Sequence, residues 1–238
     1  MMLVIGLIAF AMVAARFTAI YAFGEELNLL LEFGLSNLTL GGALLAVLCA
    51  VPVQRVQMVN AADRVLMTRA LAPGWRFIGR WLGACVVIAL AFVVWSLIFA
   101  GAVIWFADAE PTLFTMTRDT TAERELKAIV VPIVLVYLQT VLLAGVATGV
   151  ASRGSLLAAA SSVTFLLVFG VLLPDWASAD DAGFVLEGLA LILPDLRLSS
   201  VAETLYGEID SASWLIATAL QAIGYGALGA LAGAILHR

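Results

Sequence analysis

Apolar residues in this chain gather into long runs, and nearly all charge falls in the short stretches between them. An α-helix rises 1.5 Å per residue, so about 20 apolar residues carry it across ~30 Å of hydrocarbon. Six runs are near that length: residues 2–23, interrupted only by Arg16, then 35–53, 81–107, 129–151, 156–173 and 214–236. A further run, Phe184 to Leu193, covers half a membrane and predicts a short re-entrant or interfacial helix before the last span. The pattern predicts an all-α integral membrane protein with six transmembrane helices, forming one transmembrane domain over residues 1–238.

No basic residue precedes the first run, and its apolar character continues past Arg16 to Phe23. It is therefore expected to be a retained span rather than a cleaved secretory signal. Arg16 then lies at membrane depth. Such a charge either faces a pathway or an ion-pair partner within the protein, or snorkels to the interface.

Composition changes the picture mainly by exclusion. Of 238 residues, 63% are hydrophobic and 12% charged, with a mean hydropathy of +1.10. A soluble domain carries about 25% charge, so the apolar surplus must face lipid. The 12 Lys and Arg against 17 Asp and Glu leave a net charge of −5, the wrong sign for gripping phosphates, and no nucleic-acid partner is expected. Cys49 and Cys85 both lie in or beside apolar runs and suggest neither a disulfide framework nor a zinc site. The single histidine, His237, is the penultimate residue, so neither a Ser-His pair at membrane depth nor His-Glu-x-x-His is available. The only lysine, Lys127, has no Gly-rich lead, and a phosphate-binding loop is missing. The chain is not expected to be an enzyme or to hold a cofactor or metal, and any ATP hydrolysis must come from a partner.

Charge also predicts orientation, because Lys and Arg are retained on the cytoplasmic side of a membrane. The segments after the first, third and fifth runs hold 16 of the 17 acids. The opposite side holds Arg55, Arg64, Arg69, Arg76, Arg80, Arg153 and Arg238, with Asp63 as its lone acid. Both termini are thus expected to be cytoplasmic. Within the basic segment after the second run, Val56 to Leu71 can be written as a weakly amphipathic helix, with Val59, Ala62, Leu66 and Ala70 on one face and Arg64 and Thr68 on the other. Pro73-Gly74 then breaks the chain, and Trp75, Phe77 and Trp81, interleaved with Arg76 and Arg80, mark its return to the membrane at headgroup level.

Several segments in order resemble a known family. They are Phe23-Gly24-Glu25-Glu26, Phe33-Gly34-Leu35-Ser36, the run Gly42 to Val47, the stretch Arg69-Ala70-Leu71-Ala72-Pro73-Gly74-Trp75-Arg76-Phe77-Ile78-Gly79-Arg80-Trp81-Leu82-Gly83, then Leu193-Pro194-Asp195-Leu196 and the basic ending His237-Arg238. Together they resemble the ABC-2 class of ABC transporter permeases, in particular those accompanying nitrous oxide reductase maturation and gliding motility exporters. Two departures stand out. Val59 or Asn60 occupies the place of a Glu early in the family's coupling loop, and Ala70 replaces the proline of its Arg-Pro turn.

The resemblance implies the permease subunit of an ATP-driven exporter in the cell's inner membrane. A second permease subunit, identical or different, would complete the path, and a separate ABC-type ATPase subunit would bind beneath. The coupling loop would cover about Val56 to Arg76, with Val59, Asp63, Arg64, Leu66, Arg69 and Arg76 meeting the ATPase. Two other readings stay open: a non-transporting scaffold subunit, which the altered coupling loop would suit, and an ATP-independent small-solute transporter, for which Arg16 is the hint. Gly145-x-x-x-Gly149 and Gly229-x-x-x-Gly233 predict close helix packing, within one subunit or across a dimer seam. Thr120-x-x-Glu123 and Ser200-x-x-Glu203 fit capping boxes, and Glu123 with Lys127 an i,i+4 pair.

Overall fold

The computed structural model describes residue 6 and residues 26–55, 73–109, 122–152, 154–178, 184–196 and 211–236. These form six α-helices and no strand among the described residues: α1 (Glu26–Arg55), α2 (Pro73–Ala109), α3 (Ala122–Ala151), α4 (Leu156–Ala177), α5 (Phe184–Ile192) and α6 (Ser211–Leu236). Five are long and apolar enough to cross a membrane, over Glu32–Val51, Ile78–Gly101, Val130–Ala151, Leu156–Ala177 and Leu215–Gly233. These match the second to sixth apolar runs. The first run, including Arg16, lies outside the described residues apart from Gly6.

Helix starts differ from the hydropathy pattern in two instructive ways. α1 is already helical at Glu26, although its apolar run begins at residue 35, because Glu, Leu and Asn impose no break before the membrane. α2 begins at Pro73, eight residues before its apolar run at residue 81. Proline suits the first helical turn, where its missing N–H would have no partner. Between α3 and α4, Ser155 caps the new helix by accepting from Ala158 N–H at 3.1 Å, which makes the turn tight.

α3 is the centre of the bundle, touching α1, α2, α4 and α6, and 67% of its span is buried against 22% for α6. Its neighbours' directions follow from individual contacts. Gly34 near the start of α1 faces the Phe99 ring near the end of α2, so that pair is antiparallel. Trp81 donates its indole N–H to the Val141 carbonyl at 3.3 Å, while Phe92 meets Tyr137 edge-on at 5.7 Å, so α2 and α3 are antiparallel as well. Gly145 abuts Gly226 and Gly149 abuts Gly229, which sets α6 parallel to α3. α1, α3 and α6 therefore run one way and α2 runs the other; α4 returns antiparallel to α3 through the turn at Ser155, with Val146 beside Ser162.

Small residues at the seams and large ones outside give the packing of a bundle whose solvent is lipid. A Cβ on Gly145 would collide with the Gly226 backbone, and one on Gly229 would stand 2.7 Å from the Gly145 carbonyl oxygen. The predicted glycine contact is thus made within one subunit, with Gly226 and Gly229 as the partners of Gly145 and Gly149. Val86, Leu90, Val93 and Leu97 form an exposed stripe along α2, while Ile88, Phe92, Trp95 and Phe99 of the same helix are buried. Hydroxyls on the exposed face of α4 are satisfied locally, Ser161 donating to the Leu157 carbonyl and Thr164 to that of Ala160.

The seam makes a sharp prediction. Gly145→Ala forces α3 and α6 apart and should lower stability by about 1–3 kcal/mol, the usual overpacking cost. Gly83→Ala, where nothing lies within 4 Å, should be neutral or stabilising by up to ~1 kcal/mol through helix propensity. Thermal unfolding of the two variants in detergent, followed by tryptophan fluorescence, checks the contrast.

Candidate functional site

The residues expected to meet an ATPase, Val59, Asp63, Arg64, Leu66 and Arg69, lie outside the described residues. Arg76 falls in the first turns of α2. In sequence the segment they belong to lies between the end of α1 and the start of α2. Thr120, Ser200 and Glu203 of the expected capping boxes are also outside the described residues, whereas Glu123 and Lys127 fall within α3.

The most unusual local structure is the break between α5 and α6. α5 has only nine residues, with Phe184, Val185 and Leu189 exposed. After it, Leu193–Leu196 leaves the helical path, Pro194 being unable to continue it. This segment is drawn into the bundle rather than left at its surface. Leu196 is only 2% exposed, belongs to the same buried cluster as Ala222 of α6 and Leu166 of α4, and fills a notch over Gly170. A Cβ on Gly170 would stand 2.7 Å from the Leu196 side chain and 3.1 Å from the Pro194 carbonyl oxygen.

Backbone inside an apolar bundle must find internal partners, since water is absent. Gln221 of α6 supplies them. With its amide oriented as its neighbours require, its nitrogen donates to the Asp195 carbonyl at 3.1 Å and its oxygen accepts from the Asp195 N–H at 2.6 Å. Gly170 and Gln221 both lie within the apolar spans of α4 and α6. The break is therefore held at the level of those spans, clasped from one side by a glycine notch and from the other by a side-chain amide. Sequence reading found the half-length helix and the Leu-Pro-Asp-Leu stretch, but not Gln221. A lone glutamine in an apolar run was the available signal.

The remaining buried polar groups cluster on two helices. Gln139, Thr140 and Thr148 lie on α3 and Thr218 on α6. Thr140 returns its hydroxyl to the Val136 carbonyl at 2.8 Å and Thr148 to that of Gly145 at 2.9 Å, whereas the Thr218 hydroxyl has no hydrogen-bond partner. Cys49 and Cys85 are half-buried free thiols, and no group of three or more potential metal ligands exists among the described residues. An open, mainly apolar groove of about 380 Å³ between α3 and α4 is lined by Val146, Ser161, Ser162, Phe165 and Leu166.

No family model, no curated protein and no solved structure matches this chain. The class rests on the fold itself: an all-helical protein among its described residues, with five helices long and apolar enough to cross a membrane. That is the make-up of a multi-pass membrane protein.

If the break is held as described, Leu196→Ala should cost about 2–4 kcal/mol by emptying the notch over Gly170, while Leu189→Ala on exposed α5 should cost under ~0.5 kcal/mol. Unfolding of both variants in detergent micelles measures the difference.

Proposed function

We propose that this chain is the permease subunit of an ATP-driven ABC exporter of the ABC-2 class, seated in the inner membrane. The observation that carries the reading is the half-length α5 with its clasped break, drawn in between two spans. Irregular backbone at membrane depth is tolerated only where protein or a cavity surrounds it, and such elements line substrate pathways in transporters. A scaffold needs no such element.

Three further features fit. With a first span over residues 2–23 added to the five long helices, the chain crosses six times and both termini are cytoplasmic, the side that the basic segments favour. Five arginines between residues 55 and 80 place the segment between α1 and α2 in the cytoplasm. The chain has no phosphate-binding loop, so the work comes from an ABC-type ATPase bound to that segment. A second permease subunit, identical or homologous, completes the path. In this arrangement closure of the ATPase pushes that segment, and α2 passes the motion to the central helix through the Trp81–Val141 contact.

The reading predicts that the full chain, tagged at Arg238 and purified from its native membrane, brings an ABC-type ATPase with it. Replacing Val59 to Ala70 with a Gly-Ser linker should abolish that association while leaving the chain inserted. An ATPase retained after the replacement would refute the coupling assignment.

A further inference from the structure

Most hydroxyls on these helices bond back to their own helix, and among the described residues Thr218 is the buried one that bonds to nothing. Thr39, Ser96, Thr140, Ser161, Ser162 and Thr164 each donate to the carbonyl four residues back. That local bond is how a hydroxyl is normally satisfied where no water reaches. Thr218 is 4% exposed and makes no such bond, nor any other. A buried polar atom left without a partner costs about 1–3 kcal/mol and calls for a reason.

The position of Thr218 supplies one. It lies three residues before Gln221 on α6, on the same side of the helix and about 4.5 Å nearer the helix start. It also lies four residues before Ala222, which shares a buried cluster with Leu196 of the break. A hydroxyl can both donate and accept, as the Gln221 amide does toward Asp195. Thr218 therefore offers Asp195 the same pair of hydrogen bonds one turn further along.

We propose that α6 carries two stops for the Leu193–Leu196 break: Gln221, which is occupied, and Thr218, which waits one turn toward the start of the helix. The break moves between them as a unit, exchanging one satisfied backbone pair for another. Packed bundles switch between discrete arrangements of this kind, with one-turn shifts as a known mode. The glycine notch sets the balance. Leu196 fills the space over Gly170 only in the Gln221 position, so that stop holds the larger population. The inference rests on the permease reading for its purpose, as a way of moving the element before the last span, but not for its test.

Hydrogen exchange at the Asp195 amide in the full chain in lipid nanodiscs reads the two stops directly. Thr218→Val alone should leave Asp195 protection unchanged. Gln221→Leu should weaken it, and Gln221→Leu with Thr218→Val should weaken it further by about fivefold, the share of one net hydrogen bond. Thr218→Ser in the Gln221→Leu background should restore the single-variant value. Should the double variant not fold, Gly170→Ala with and without Thr218→Val gives the same comparison, because filling the notch drives the break to Thr218. Equal exchange in Gln221→Leu with and without Thr218→Val would overturn the proposal, as would a Thr218→Val effect in the otherwise unchanged chain. Neither result depends on an ATPase, so the permease reading stands or falls separately.

Discussion

Every part of this architecture answers to one constraint: in hydrocarbon, a backbone N–H or C=O must be satisfied by the protein itself. Helices meet it unaided, which is why the chain is built of them. Where the helix stops inside the bundle, at Pro194 and Asp195, another group must take over, and Gln221 does so with both ends of its amide. The same constraint turns Ser161, Ser162 and Thr164 back onto their own helix and makes the unpartnered Thr218 conspicuous.

Close packing follows from the same solvent. Lipid gives no strong drive for helices to associate, so contact must be won by dispersion over short distances. Gly145, Gly149, Gly226 and Gly229 bring α3 and α6 into backbone contact, and Gly34, Gly42 and Gly170 each admit a side chain from a neighbour: Phe99, Thr140 and Leu196. α3 thereby becomes the fixed axis of the bundle. α2, whose outer stripe of Val86, Leu90, Val93 and Leu97 is exposed, reaches that axis through aromatic side chains, among them Trp81, whose buried indole donates to the Val141 carbonyl.

Much of the fold was legible in the sequence. A span is a property of one segment, so runs of apolar residues located five of the helices and the half-length α5, although α1, α2 and α3 each begin about seven to nine residues before their runs. Relations between segments were less legible. The Gly145 motif announced a close contact, but its partner proved to be Gly226 with Gly229 in the same chain, because only the parallel docking of α6 brings them together. Pro73 opens α2, since proline is hostile to a helix interior and at home in its first turn. Gln221 was invisible as a partner of Asp195: the two are 26 residues apart and joined only by the fold.

The functional account depends on the segment between α1 and α2 facing the cytoplasm, where a motor could reach it. With Cys49 and Cys85 replaced by serine, the Arg64→Cys variant can be probed in intact cells with a membrane-impermeant maleimide. The account predicts no labelling until the inner membrane is opened, then rapid labelling that bound ATPase suppresses. Labelling of Arg64→Cys from outside intact cells would contradict it.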